Sequence, residues 1–397
     1  MPENTIKSVE SLLAGLGSPA ADRDYRPGHQ RMHALLAGMN LNRPRLRIRI
    51  AGTNGKGSTA FMLANALQTA GFSVGLYTSP HIHTFNERIR IHDQPAADAD
   101  IIPVLEGMVS RAMDIGASYF EVATTLALSL FSKARVDVEI LEAGVGARLD
   151  ATTVVPADMA VMTPIALDHQ AWLGETLSAI AEEKAYAMHE CRWAISAPQA
   201  DAVAEVLQRH RPDIKFVSAG ENLPPLKMAG DHQHCNASLV YAAIRHLCEE
   251  GTVEASLPQM MRAIADTEVP GRLQHILWHG CNLWLDAAHN IHAVHALLPS
   301  LPTLADSFDA ILVFTREDRD LTDALPLLRP FTCRLVSQHN ASGCCDAHYD
   351  DLRNALDAEL ARKAGGSFLV LGSFTSVATA EDWLRETSPT AFRASVS

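Results

Sequence analysis

A chain of 397 residues has room for two or three domains, and a 47% apolar composition supplies substantial cores. A formal net charge of −13 with no Lys/Arg-rich block excludes sequence-independent binding to DNA or RNA, which needs a basic footprint. No stretch approaches the roughly 20 apolar residues of a membrane span, and the N-terminus lacks the cationic start and apolar core of a signal peptide, so a cytoplasmic protein is expected. Cys191, Cys235, Cys248, Cys281, Cys333, Cys344 and Cys345 contain no CxxC and read as free thiols.

Residues 5–17 place Ile6, Val9, Leu12, Leu13 and Leu16 at helical spacing and predict a short amphipathic helix. In the polar segment that follows, Asp24, Tyr25 and Arg26 precede Pro27-Gly28 as either a substrate-contacting loop or a solvated connection. Next comes LRIRI, with Leu46, Ile48 and Ile50 alternating with Arg47 and Arg49, then AGTNGKGST, then an apolar helical run closed by Gly71. Strand, glycine loop and helix in that order form a phosphate site. Gly52, Gly55 and Gly57 let backbone N–H groups turn inward, Lys56 brings a mobile cation, and Ser58 or Thr59 offers a hydroxyl to Mg²⁺. The loop is not a standard Walker A, since Gly57 follows Lys56 and Ile50 stands where the first glycine belongs.

A second strand, FSVGLYTSPH, ends at Ser79, whose hydroxyl can face the carboxyl edge of the sheet. The strand of Val136–Asp150 carries Glu142 at its end. A buried carboxylate needs a partner, and beside a phosphate loop the economical one is Mg²⁺. DMAVMTPIALDH delivers Asp168 and His169 to the same edge. In the helix TLSAIAEEKAYAM, the residues alone put Glu182, Glu183 and Lys184 on a solvated face. WAIS and KFVSA flank a further helix, and the strand–helix alternation predicts a mostly parallel sheet. Two helices, through His232–Glu249 and Leu257–Ala265, precede Pro270-Gly271, the expected junction between a domain of residues 1–269 and one of residues 270–397. The second is a smaller Rossmann-like α/β domain, with Asp286, His289 and Asn290 just past the end of its first strand.

The ordered strings AGTNGKGS, TSPH, LEAGVGARLDATT, IALDH, EEKA, HQHCNA, PGRLQ, DAAHN and LGSFTSVA run from Ala51 to Ala378. Together they closely resemble the Mur-ligase-like superfamily and, within it, the bifunctional dihydrofolate synthase/folylpolyglutamate synthases. The resemblance implies an ATP-dependent ligase whose C-terminal domain closes over a nucleotide-binding domain. It implies that Thr53, Asn54, Gly55, Lys56, Gly57 and Ser58 cradle phosphate, that Asn236, Arg272, Asp286, His289 and Asn290 serve the nucleotide, and that Ser58, Ser79, Glu142, His169 and Lys184 hold metal. Two Mg²⁺ ions are implied, and a K⁺ ion is admitted. Lys184 matches a lysine that the family carbamylates, which displaces the solvated reading of EEKA. Asp24-Tyr25-Arg26, Ser118-Tyr119-Phe120 and Leu149-Asp150-Ala151 align with pterin-pocket segments. The chain departs from the usual family pattern at Ala147 for glycine, Thr153 for asparagine and Ile291 for proline, which bears on substrate preference more than on reaction type.

The implied reaction activates a carboxylate as an acyl phosphate, which the α-amino group of L-glutamate attacks. The expected substrates are 7,8-dihydropteroate and reduced folates, with Lys56, His169, Lys184 and Arg272 carrying the chemistry and His169 acting as a ligand rather than a base. A folylpolyglutamate synthase without the dihydropteroate activity is the nearest alternative. A peptidoglycan Mur ligase is disfavoured, because only about 45 residues precede the first strand. A catalytically silent nucleotide-binding regulator has no use for Glu142, His169 and Lys184 together, nor a simple kinase for PGR. The resemblance points to a monomer.

Overall fold

The computed structural model describes residues 8–16, 28–217, 223–317, 319–338 and 344–388. The chain divides into two compact units, one made of Met1–Pro225 and Cys235–Thr267, the other of Leu226–His234 and Glu268–Ser397. A single cut at 269/270 is simpler than this division, because Leu226–His234 groups with the second unit. There Asp231 N donates to Ser300 Oγ at 3.0 Å and Lys227 pairs with Glu268 at 3.7 Å.

In the first unit β1 (Leu46–Ala51), β2 (Val74–Tyr77), β3 (Ile89–Ile91), β4 (Gln94–Pro95), β5 (Val138–Glu142), β6 (Met159–Met162), β7 (Trp193–Ser196) and β8 (Lys215–Phe216) form an eight-stranded sheet. Its order is β4-β3-β2-β5-β1-β6-β7-β8, and all neighbours are parallel except β2–β3 and β3–β4. The helices are α1 (Val9–Leu13), α2 (His29–Leu36), α3 (Lys56–Thr69), α4 (Asp98–Asp114), α5 (Tyr119–Ala134), α6 (Gln170–Leu173), α7 (Leu177–Ala185), α8 (Asp201–His210), α9 (Asp231–Glu249), whose first residues through His234 group with the second unit, and α10 (Leu257–Ala265). β1 lies between β5 and β6, so the loops after these strands share one carboxyl edge, the place where open parallel sheets bind ligands.

Every residue of β1, β2, β5 and β6 is buried, as parallel strands covered on both faces require. That burial includes both arginines of LRIRI. Arg47 stands opposite Glu139 in the β1–β5 register and donates Nε to its Oε2 at 2.6 Å, with Nη1 on Pro156 O. Arg49 places Nη1 on Ala187 O and Nη2 on Val155 O. Burial pushes the Glu139 carboxyl above its ordinary range, and Arg47 opposes the rise.

The second unit is a six-stranded sheet of β9 (Gln274–Trp278), β10 (Cys281–Asp286), β11 (Ala310–Val313), β12 (Leu335–Ser337), β13 (Ala347–His348) and β14 (Ser367–Leu371), ordered β13-β12-β11-β14-β10-β9. Only β9 runs antiparallel to its neighbour. Helices α11 (Ile291–Leu297), α12 (Leu301–Leu304), α13 (Leu325–Leu328), α14 (Leu352–Arg362) and α15 (Phe374–Thr387) accompany it, and Val294, Phe308, Ile311, Leu335 and Leu369 share its core. The seven cysteines are free. No helix among the described residues is long and apolar enough to cross a membrane.

Removing one partner of the Arg47–Glu139 pair strands the other as a buried charge. Arg47→Leu is expected to lose ~3–5 kcal/mol in urea unfolding, whereas Arg47→Leu with Glu139→Leu recovers most of it. Equal losses in the single and double variants would show that the pair is not what holds this strand contact.

Candidate active site

Gly52 follows β1 with φ +146, and a Cβ there would lie 2.0 Å from Thr163 Oγ1 and 2.7 Å from Thr163 O. Only glycine lets the loop leave the sheet so close to the end of β6. Thr53 N and Asn54 N then donate to Pro164 O at 2.9 and 3.4 Å, and Thr53 Oγ1 exchanges hydrogen bonds with Ala166 O and N at 3.1 and 3.0 Å. At Gly55, with φ +85, a Cβ would meet Asn236 Oδ1 at 2.4 Å, so Asn236 on α9 stands directly against the loop. Gly55 caps α3 without a side-chain bond, leaving the first-turn N–H groups to a ligand. The Ser58 and Thr59 hydroxyls are buried and unpartnered, which a phosphate or cation would remedy. Lys56 Nζ curls onto Thr53 O at 3.0 Å.

Lys184 is buried, not solvated. Its Nζ donates to Gly52 O at 2.7 Å, and its pKa is brought down to about 7 by burial and by the charge on Lys56, against the pull of Asp168 and Asp150. At neutral pH the protonated and uncharged forms of this amine under the glycine loop are therefore comparably populated. Glu142, buried at the end of β5, accepts from Ser79 N at 3.0 Å, so these two positions do meet. His169 has φ +50 and donates its N–H to Asp168 Oδ1 at 2.8 Å. Among the described residues no three His, Cys, Asp or Glu side chains form a metal cage, so a cation here would need hydroxyl, phosphate or modified-lysine oxygens.

Asp24, Tyr25 and Arg26 lie outside the described residues. The other two substrate segments come together at Gly144, where a Cβ would lie 2.7 Å from Phe120 Cζ and 3.2 Å from Asp150 Oδ2. Ser118 caps α5 in a capping box with Glu121. Tyr119 meets Phe85 edge-on with Arg88 over its ring, and Phe120 leans on Tyr77. Leu149 is exposed and Ala151 buried. Asp150 is wholly engaged: Oδ2 accepts from Gly144 N and Val145 N, Oδ1 from Thr152 N and Oγ1. It shapes the loop from within. Burial raises its pKa, and those hydrogen bonds hold it down.

The second unit groups the remaining positions around the end of β10. Buried Asp286 accepts from Leu273 N and Ala288 N, both at 2.8 Å, and its carboxyl is raised by burial against the pull of Arg272 and His232. Arg272 lies 4.8 Å over the Phe374 ring, His289 Nδ1 bonds Ala287 O at 2.9 Å, and Asn290 caps α11.

No protein-family model matches the chain. It is 34% identical over 364 residues to the dihydrofolate synthase/folylpolyglutamate synthase of Escherichia coli K12, covering 83% of this chain and 84% of that protein. The chain belongs to the dihydrofolate synthase/folylpolyglutamate synthase family. The Mycobacterium tuberculosis protein of the same description is 31% identical over 373 residues, covering 81% of this chain and 74% of that one. Among solved structures, E. coli FolC in complex with DHPP and ADP has a TM-score of 0.82 at 29% identity, over 96% of this chain and 99% of the other.

Sequence reasoning passed over three residues that support this family fold. Gln199 Nε2 donates to Thr163 O at 3.1 Å while its Oε1 accepts from Ile165 N at 2.9 Å, bracing the segment on which Thr53 and Asn54 hang. His232, with its pKa lowered by burial, faces the charges of Asp286 and Arg272, yet of HQHCNA only Asn236 was singled out. His29 reaches the Asp150 loop, and nothing in its polar surroundings marked it.

Gly52→Ala would test the loop geometry. Its Cβ clash and positive φ should remove at least about 2 kcal/mol of stability, read as a lowered melting temperature. A variant that melts with the parent would overturn the close approach to Thr163.

Proposed function

We propose that the chain is an ATP-dependent amide ligase that joins L-glutamate to 7,8-dihydropteroate and adds further glutamates to reduced folates. One observation carries the reading: the glycine loop with Lys56, the Ser79–Glu142 contact and buried Lys184 lie at one carboxyl edge in a member of this family. Unactivated, the substrate carboxylate would have to expel oxide. Transfer of the γ-phosphoryl group from ATP makes an acyl phosphate and ADP, the uncharged amine of glutamate attacks the acyl carbon, and phosphate leaves with formation of the amide.

Thr53 and Asn54 anchor the loop on Pro164 O, the N–H groups of Gly55 to Ser58 are left for the phosphates, and Lys56 swings from its own loop carbonyls to the outer phosphates. Positioned positive charge is most of what phosphoryl transfer demands. Asn236 of α9 in the first unit, and Arg272, Asp286, His289 and Asn290 in the second, are read as nucleotide contacts. Ser58, Ser79, Glu142, His169 and a carbamylated Lys184 suit two Mg²⁺ ions, and the orphaned Ser58 hydroxyl is the observation that fits. Mg²⁺ would neutralise phosphate oxygens as charge builds on them. The uncharged Lys184 amine can attack CO₂ and lose a proton, turning a buried cation into an anionic oxygen donor. Residues 118–120 and 149–151 face the pterin, the first unit holds ATP and folate, and the second is the glutamate-ligase domain. The enzyme is read as a cytoplasmic monomer acting on small molecules.

ADP release with ATP, Mg²⁺ and L-glutamate, assayed with 7,8-dihydropteroate and with tetrahydrofolate, should occur with both. Release with tetrahydrofolate alone would leave a folylpolyglutamate synthase, and release with neither would reject the reading.

Lys184→Ala should lower kcat by about two orders of magnitude, in the range of a lost charge-stabilising group. Because carbamylation needs the uncharged amine, carbamate content at fixed dissolved CO₂ should rise as pH climbs through about 7, followed by ¹³C NMR with labelled CO₂. Full turnover of Lys184→Ala would sink the carbamate.

A further inference from the structure

The loop that follows Glu142 is tied at several points. Arg148 N donates to Glu183 O at 3.1 Å, beside Lys184, and Arg148 Nε approaches the Glu183 carboxylate at 3.2 Å. Asp150 closes the loop from inside through the four hydrogen bonds described above. The last tie comes from outside. Thr153 Oγ1 lies 2.8 Å from Ala147 O and 2.7 Å from Asp150 O, and His29 Nε2 lies 3.0 Å from Thr153 Oγ1 and 3.1 Å from Asp150 O.

A hydroxyl has one proton, whereas both carbonyls can only accept. Thr153 therefore satisfies them incompletely. His29 Nε2 also faces a carbonyl, so it must carry a proton and donate, to Asp150 O and to the hydroxyl oxygen of Thr153. His29 opens α2, which packs on α5 and on the turn Ala151–Val154. One N–H thus pins the loop carrying Leu149–Ala151 to the helix layer that includes Ser118–Phe120 at the start of α5. Ala147 and Thr153, the two positions where this loop departs from the usual family pattern, are both in the network.

We propose that His29 is a positioning residue that, with Thr153, fixes the Leu149–Ala151 segment against Phe120 and thereby sets the preference between dihydropteroate and reduced folates. A shorter residue at 153 would leave the loop loose without a second donor, and His29 supplies it from another element. The inference rests on the ligase reading above for its substrates, but the clamp itself is a matter of hydrogen bonding.

The test compares His29→Leu, which keeps bulk and removes the donor, with His29→Gln, which keeps a donor, and with His29→Leu combined with Thr153→Asn. Hydrogen exchange of amides 147–154 is measured together with kcat/KM for 7,8-dihydropteroate and tetrahydrofolate and with KM for ATP. His29→Leu should speed exchange and change the ratio of the two kcat/KM values about threefold to tenfold, the scale of one lost hydrogen bond, with KM for ATP unchanged. His29→Gln, and the double variant with its added amide, should return toward the parent. Unchanged exchange in His29→Leu would overturn the clamp, and faster exchange with an unaltered substrate ratio would overturn its role in preference. A parent enzyme that releases no ADP with either folate would instead reject the ligase reading and with it the substrate preference, while the exchange data still decide the clamp.

Discussion

The carbonyl oxygen of Gly52 accepts from Lys184 Nζ at 2.7 Å, while a Cβ on the same residue would strike Thr163 at 2.0 Å. Three segments meet at that residue: the end of β1, the end of β6 and the last turn of α7. Because the loop carries no side chain there, its backbone comes within reach of a buried amine, and its next two N–H groups hang on Pro164 O. Gln199 braces the far side of that segment. The glycine loop is thus held in shape by backbone contacts of its own chain.

Electrostatics follow from the same contact. Burying Lys184 beside Lys56 places two potential cations close together, and the protein relieves the conflict by lowering the Lys184 pKa to about 7 rather than by pairing it with a carboxylate at contact distance. A chain of formal charge −13 has no general attraction for polyphosphate, so local cations have to provide it. Lys56 stays at the loop surface, where it can move. The lysine beneath it is free to become something other than a cation.

Much of this layout was legible from residue order alone, because buried parallel strands read as short apolar runs that end at glycine, carboxylate or histidine. β5, β6 and β10 were found that way, and β1 from apolar residues alternating with Arg47 and Arg49 ahead of the glycine loop. Lys184 was not, since Glu182 and Glu183 precede it and a lysine in a charged run is ordinarily solvated. The buried face of α7 consists of Ile180, Ala181, Lys184 and Ala185, a helical stripe in which lysine takes an apolar position. α2 was missed because it starts at an uncapped Gly28 and buries only Met32 and Leu35. α4 carries Ile101, Leu105, Met108 and Ala112 at helical spacing and was passed over although that stripe was there to be read, whereas β9 pairs antiparallel to β10 with half-exposed residues and gave no clean period.

Within LEAGVGARLD two buried carboxylates are held in different ways. Asp150 spends both oxygens on four donors, of Gly144, Val145 and Thr152, inside its own loop. That many donors make it a structural anchor, with little capacity left for a ligand. Glu142 receives the N–H of Ser79 from the neighbouring strand end, where the sheet delivers groups to the phosphate loop. Charge and burial are nearly alike at the two positions. What separates them is that the loop folds around Asp150, whereas Glu142 at the end of β5 reaches the segment that follows β2, so one motif ties its own loop with one carboxylate and joins two strand ends with the other.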